Sequence, residues 1–322
     1  MTGKTLFVSQ LPLGRCENLT AVWNAYDGPK EFRLGHEGMR TAEDEGFACV
    51  VCDAIPHYID HKQRCKVINL GHGIEGGKLY ANHERWKPWF DPDAAAQTDF
   101  AITSSEETIP IVAGQLCIPE SRVLPLGMPR TDEYFQDIEP MMGRETGLIE
   151  RVYLYAPTFR GGDGWLPRIN WARLDKKLSD GELFVIKRHY FTDAPLLDRE
   201  YRHLLELDMS DPSAFALESC DVLVTDYSSI MFDAYLLGKP SILLVDDDEQ
   251  YLSKRGMYYP YPEFYSSRYM RVEWCEAILA RMLREAADEG MTEVEQRCIE
   301  TVAGACDGHS TERVCDLVRS IV

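Results

Sequence analysis

No apolar run in this chain approaches the roughly 18–20 residues needed to cross a bilayer. The opening residues Met1-Thr2-Gly3-Lys4-Thr5-Leu6-Phe7-Val8 carry no apolar core of a secretion leader. Positive charge is scarce: 34 Lys and Arg stand against 53 Asp and Glu, a formal net charge of −19. Such a chain repels phosphate backbones and anionic headgroups, which argues against nucleic acid or a membrane held through a basic face. Any phosphate site must therefore be local. A spaced set of metal ligands is also missing. The acidic run Asp246-Asp247-Asp248-Glu249 clusters in one loop, where carboxylates more often face solvent. These absences predict a cytoplasmic protein with no integral membrane segment, no nucleic-acid partner and no protein-held metal, although dependence on a divalent ion stays open.

What is present suits a globular protein of two domains. The 322 residues are 45% hydrophobic and 27% charged, enough chain for two cores of ordinary size. Ten cysteines are spread through apolar runs instead of forming a short disulfide framework, and they read as mostly buried thiols. Cys49 and Cys52 have redox spacing but fall within the strand-like run Phe47–Cys52. Residues 136–147 lack apolar periodicity and contain proline and glycine, the composition of a linker. The expected domains are 1–140 and 141–322, with the terminal helix 310–322 packing back toward the first.

The most informative stretch is 222–245. Asp221-Val222-Leu223-Val224-Thr225 fits a buried parallel strand that stops at Asp226-Tyr227-Ser228-Ser229. Residues 230–237 then carry a helical pattern, Gly238 suits a left-handed position past the helix end, and Pro240 blocks continuation. Ser241-Ile242-Leu243-Leu244-Val245 reads as the next strand. A βαβ unit of this kind presents backbone N–H groups and two hydroxyls at the carboxyl edge of a sheet, where phosphate oxygens bind. Serine-capped helices are common, however, and most bind nothing. Asp233, one turn into the helix, is placed to accept hydrogen bonds from a ribose.

Elsewhere strands alternate with helices in a Rossmann-like rhythm: 4–9, 48–52 and 66–70 read as strands, 18–26 and 106–113 as helices. The third of these strands runs into Gly71-His72-Gly73. Flanking glycines let backbone approach a ligand while the imidazole projects from the strand end. A lone histidine more often packs or satisfies a hydrogen bond, but this placement favours function. The segment 76–83 is either a mobile cover or a surface connection. In Gly127-Met128-Pro129-Arg130-Thr131-Asp132, Arg130 offers donors that cannot be neutralised, for a ligand or simply for Asp132. Thr158 and Arg160 follow the strand 151–155, and Lys187-Arg188-His189 follow 182–186. Cations at a strand end in so acidic a chain are best explained by an anion. Helices over 273–287 and 294–302 and a last one after Asp307 complete the pattern.

The element Thr225-Asp226-Tyr227-Ser228-Ser229-Ile230-Met231-Phe232-Asp233 resembles the signature of the CDP-glycerol glycerophosphotransferases, the enzymes of teichoic acid synthesis. Further elements agree in order. Gly71-His72-Gly73-Ile74 is similar to a Trp-His-Gly-Thr element, with Ile74 for threonine. Gly127 to Asp132 resembles Gly-Tyr-Pro-Arg-x-Asp, with Met128 for tyrosine. Tyr155 to Arg160 resembles Tyr-Ala-Pro-Thr-Trp-Arg, with Phe159 for tryptophan, and Arg255-Gly256-Met257-Tyr258 resembles Arg-Gly-Phe-Tyr. The resemblance implies an α/β, GT-B-like fold of two Rossmann-like domains facing a central cleft. It implies transfer of an alditol phosphate, glycerol phosphate first, from a CDP-alditol to an acceptor hydroxyl with release of CMP, in teichoic-acid-like or other cell-surface polymer synthesis.

On that resemblance His72 is the base and His189 a group at the diphosphate. Arg130, Thr158, Arg160, Arg188, Thr225, Asp226, Ser228 and Ser229 hold the donor phosphates, and Asp233 holds the ribose. No tightly bound cofactor is implied. The expected partners are CDP-glycerol or a similar donor and a polyol-phosphate or glycan acceptor, with contact at the inner membrane face through acceptor or partner left open. Two other readings fit the same fold: a GT-B glycosyltransferase or epimerase using a UDP-sugar, and a non-catalytic nucleotide-binding subunit.

Overall fold

Apolar runs that do not alternate must be covered on both faces, and here they become the inner strands of two parallel sheets. The computed structural model describes residues 3–15, 17–53, 59–79, 93, 96–136, 147–158, 167–188, 195–207, 217–245, 247–271 and 275–322. The chain divides into a first unit of Met1–Gln136, Lys254–Tyr258 and Glu300–Val322 and a second of Asp137–Ser253 and Tyr259–Ile299. The stretch expected as a linker falls largely on 137–146, outside the described residues.

In the first unit the strands are β1 (Lys4–Ser9), β2 (Lys30–Leu34), β3 (Phe47–Cys52), β4 (Lys66–Asn69), β5 (Phe100–Ile102) and β6 (Val123–Leu124), ordered β2-β1-β3-β4-β5-β6. Side chains of β1 and β3 divide between the two faces: Phe7, Cys49 and Val51 enter one core, Leu6, Val8, Val50 and Cys52 the other. Helix α1 (Glu17–Ala25) covers the first face with Leu19 and Val22. Strand β2 escapes a hydrophobic reading because its sequence, KEFRL, alternates with charge, and none of its residues is buried at the sheet edge. Helix α2 (Ile109–Leu116) starts three residues later than the pattern suggests. The Ser105 amide donates to Thr108 Oγ1 at 3.1 Å and the Thr108 amide to Ser105 Oγ at 3.2 Å, which holds 105–108 as a turn.

The second unit repeats the plan with β7 (Arg151–Tyr155), β8 (Glu182–Ile186), β9 (Leu204–Glu206), β10 (Val222–Thr225), β11 (Ser241–Leu244) and β12 (Tyr269–Met270), ordered β12-β11-β10-β7-β8-β9. Its helices are α3 (Trp171–Asp175), α4 (Ile230–Leu236), α5 (Asp248–Arg255), α6 (Glu276–Glu289) and α7 (Glu293–Ala303), of which α5 and α7 each end in stretches grouped with the first unit. Leu279, Leu283 and Ala286 lie on one face of α6 and pack on Tyr153, Phe184, Val222 and Ile242. Gly238, at φ +69°, ends α4 as its position in the sequence predicts. Of the acidic run expected as a loop, positions 248 and 249 instead open α5, where the carboxylate of Glu249 suits a helix N-terminus. Among the described residues no group of three or more His, Cys, Asp or Glu could hold a metal, and no helix is long and apolar enough to cross a membrane. The cysteines at 49 and 52 are buried free thiols.

The last helix, α8 (Ser310–Ile321), belongs to the first unit. Val314, Cys315 and Val318, spaced along one face, close the core formed by Phe7, Leu19, Val22, Cys49 and Val51. The Gly3 amide donates to the Val322 carbonyl at 3.0 Å. His309, at the N-cap place, makes no side-chain cap. Asp132 supplies it from a distant stretch, accepting from the Ser310 amide at 3.0 Å and the Thr311 amide at 2.7 Å. Gly127 is required nearby: its φ is +80°, and a Cβ there would lie 2.2 Å from Ser310 Oγ and 2.4 Å from the Ala305 carbonyl oxygen. Asp132→Ala should therefore cost about 1–2 kcal/mol of stability, read as a lower urea midpoint at unchanged slope.

Candidate active site

Parallel strands all leave a sheet at one edge, so residues distant in sequence meet there. In the first unit β4 ends in Asn69, whose Oδ1 accepts the Gly71 amide at 2.9 Å, an Asx turn that places Gly71 at φ +63°. His72 follows and is exposed. Asn18, buried at the start of α1, ties this loop to the element after β6. Its Nδ2 donates to the Gly71 carbonyl at 3.4 Å, and its Oδ1 accepts the Arg130 amide at 3.1 Å. An atom at the Cβ position of Gly73 would lie 3.6 Å from Arg130 Nη2, so the guanidinium runs alongside the histidine loop. Its side chain is 11% exposed and pairs with Glu17 at 3.5 Å. Asp132 is engaged by α8, which leaves Arg130 facing the loop.

Ser9 and Asp53, at the ends of β1 and β3, stand beside this loop. Ser9 Oγ donates to Asp53 Oδ2 at 2.8 Å and accepts the Leu11 amide at 3.0 Å. Burial pushes the Asp53 carboxyl above its ordinary range, opposed by the Ser9 hydroxyl, its own backbone amide and the charge of His72. Glu75, three residues past His72, accepts from Gln115 Nε2 of α2 at 2.8 Å, and burial pushes its carboxyl up to about 7. The loop then pairs with Lys254–Tyr258: Lys78 bridges Met257, and the Tyr258 amide donates to the Gly77 carbonyl at 2.9 Å. The rest of the segment 76–83 lies outside the described residues from 80 onward.

In the second unit the edge gathers the ends of β7, β8 and β10, which neighbour one another in the sheet. Thr225 Oγ1 donates to the Ala156 carbonyl at 2.6 Å, and Asp226 Oδ1 accepts the Thr158 amide at 2.8 Å and the Tyr227 amide at 2.7 Å. Both side chains, expected at the donor phosphates, brace the strand ends. Tyr227 stacks on Tyr251 with centroids 3.8 Å apart and donates to Asp247 at 2.9 Å, fixing the turn. Beyond it Ser228 is half-buried, while Ser229 is exposed at the start of α4 and its hydroxyl makes no cap. Asp233 is buried on α4 and Thr158 is buried after β7. Arg188, one residue beyond Lys187 at the end of β8, forms an ion pair with Glu206 of β9, whose carboxylate also accepts the Leu196 and Leu197 amides.

The structure thus groups His72 with Arg130 in the first unit, and Thr158, Thr225, Asp226, Ser228 and Ser229, with Asp233 on α4, in the second. Arg160 and His189 lie outside the described residues. Ser9, Asn18 and Asp53 are additions that motif reading misses. The signal that could have found them is a polar residue ending a buried strand, or an asparagine opening an amphipathic helix.

A model of the CDP-glycerol:poly(glycerophosphate) glycerophosphotransferase family matches residues 45–320. The chain belongs to this family. It is 29% identical over 241 residues to a teichoic acid ribitol-phosphate primase of Bacillus spizizenii, covering 70% of this chain and 60% of that protein. With the ribitol-phosphate polymerase TarK of Staphylococcus aureus it shares 34% identity over 180 residues, 51% of this chain and 35% of that one. The matches span between 29% and 60% of the length of the teichoic acid ribitol-phosphate relatives. Among solved structures, the wall teichoic acid polymerase TagF superposes with a TM-score of 0.78 at 19% identity, over 99% of this chain and 89% of that one. The UDP-GlcNAc 2-epimerase of Neisseria meningitidis reaches 0.53 at 14% identity, over 98% of this chain and 100% of that one. At these identities the likeness establishes the fold, two parallel-sheet α/β units of the GT-B class.

The Glu75 carboxyl, raised in the folded state, favours folding most below about pH 4.5 and loses that contribution as pH rises toward about 7. Glu75→Gln keeps the shape without the charge. Its stability advantage over the native protein should grow between those pH values to about 1–2 kcal/mol at pH 8, measured by urea unfolding at both ends.

Proposed function

We infer that the chain transfers an alditol phosphate from a CDP-alditol to an acceptor hydroxyl and releases CMP, in synthesis of a teichoic-acid-like or other cell-surface polymer at the cytoplasmic side of the membrane. The observation that carries the reading is His72 between two glycines at a carboxyl sheet edge, with Arg130 alongside, inside the stretch that matches the family. The names of the relatives, ribitol-phosphate and glycerol-phosphate enzymes alike, support an alditol phosphate as the group moved. Glycerol phosphate is the first candidate.

The step forms a bond from the acceptor oxygen to the alditol-bearing phosphorus and breaks the bond from that phosphorus to the bridging oxygen, which leaves with CMP. The acceptor proton goes to His72. An imidazole suits this because its unperturbed pKa of about 6.5 lets it gain and lose a proton near neutrality. No covalent enzyme intermediate is needed, so alignment and charge stabilisation supply the catalysis. In the first unit Arg130 stabilises charge beside the base. In the second, Ser228, Ser229, Thr158, Arg160, Arg188 and His189 take the diphosphate, and Asp233 takes the ribose. Thr225 and Asp226 act on the donor through the strand ends they brace.

The purified protein given CDP-glycerol or CDP-ribitol with a polyol-phosphate acceptor should release CMP. His72→Ala should lower that release about 10²–10⁴-fold while donor binding by calorimetry stays intact. UDP release from a UDP-sugar would favour the epimerase or glycosyltransferase reading. Saturable CDP-alditol binding without turnover under any acceptor would mark a binding subunit, and absence of binding would end the CDP-alditol reading.

A further inference from the structure

Two loops of the first unit carry its candidate catalytic side chains, His72 after β4 and Arg130 after β6, and one buried side chain bonds to both. Asn18, 3% exposed at the second position of α1, donates from Nδ2 to the Gly71 carbonyl at 3.4 Å and to the Leu70 carbonyl at 3.5 Å. Its Oδ1 accepts the Arg130 amide at 3.1 Å. The side-chain amide can sit only this way round, because carbonyls accept and a backbone N–H donates. We propose that Asn18 is a positioning residue of the transfer reaction: it fixes the separation of the His72 loop from Arg130, so that base and guanidinium address one acceptor hydroxyl and the phosphate it attacks.

The sheet alone does not set this separation. Strand β5 stands between β4 and β6, so the two loops leave strands that do not pair and that lie about 10 Å apart. Each loop is stiffened within itself. Asn69 Oδ1 holds Gly71, and around Arg130 the Met128 carbonyl accepts the Thr131 amide at 2.9 Å and the Thr131 hydroxyl at 2.8 Å. What joins one loop to the other is α1. Glu17 pairs with the Arg130 guanidinium at 3.5 Å, while Asn18, next along, takes the Arg130 amide. Leu19 and Val22 anchor the same helix in the core, so the asparagine is offered from a rigid element. The residue type matters, because an amide side chain carries a donor and an acceptor side by side. Aspartate would keep the bond to the Arg130 amide but set a carboxylate against two carbonyls, and leucine would fill the space and lose the bonds to both loops.

The catalytic part of this inference rests on the transferase reading, whereas the bridge is measured without turnover. In amide NMR, Asn18→Ala should speed exchange of the Arg130 N–H about 5–10-fold and shift the Gly71, His72 and Gly73 amides. Asn18→Asp, nearly the same shape, should shift those loop amides but leave the Arg130 N–H protected, and it serves if Asn18→Ala does not fold. In transfer assays either variant should lower kcat about 10–100-fold with an unchanged KM for the donor. Added to Arg130→Ala, neither should cost more than about twofold further, since without the guanidinium its spacing from the base no longer counts. Losses that multiply in the double variant mark a residue that only stabilises the fold, and they overturn the proposal. So does Arg130 exchange that stays slow in Asn18→Ala, or a His72 loop that responds to neither variant. A native protein that releases no CMP from either donor would end the transferase reading, while the exchange and shift measurements still decide the bridge.

Discussion

Hydrogen bonding between parallel strands is the constraint on which the rest of the molecule depends. Each strand must return to its starting end before the next can pair, so every strand finishes at the same edge and the chain between them is forced into helices and turns. Residues at 9, 53, 72 and 130 come together in one unit for that reason, and those at 158, 188 and 228 in the other. The edge is also where backbone amides are left without ladder partners, which makes it the natural place for turns, side-chain clamps and anionic ligands.

The clamps show how polar groups are kept in this position. Asp226 takes two amides, Glu206 takes two amides and a guanidinium, and Asp132 takes the first amides of α8. Deeper in the second unit, burial works against ionisation of Glu182. Arg284, the Ser179 amide and the Tyr153 hydroxyl outweigh it and hold that carboxyl at about 2. Each carboxylate is satisfied by several donors, the condition under which a buried charge fixes geometry instead of loosening it.

Much of this was legible in the sequence, and the reasons differ by element. The strand, turn and helix across 222–245 could be read because a buried parallel strand is a continuous apolar run and Gly238 marks a left-handed turn. Strand β2 could not, since an edge strand with charged alternate residues looks like a loop. The family elements pointed to His72 and Arg130, which the fold brings to one edge. They also pointed to Thr225 and Asp226, whose partners are backbone groups after β7, a relation between strands that no local pattern encodes. Ser9, Asn18 and Asp53 were missed for the same cause: each matters through a neighbour dozens of residues away.

The place of α8 in the first unit bears on how the protein is made. A chain leaves the ribosome from its N-terminus, and domains assembled from contiguous sequence fold as they emerge. Here Phe7, Val22 and Val51 wait for Val314 and Val318, so this core is completed only after the second unit's residues have been synthesised. Until then the face of the first sheet that α1 lines with Leu19 and Val22 lacks the apolar side chains that α8 adds to it.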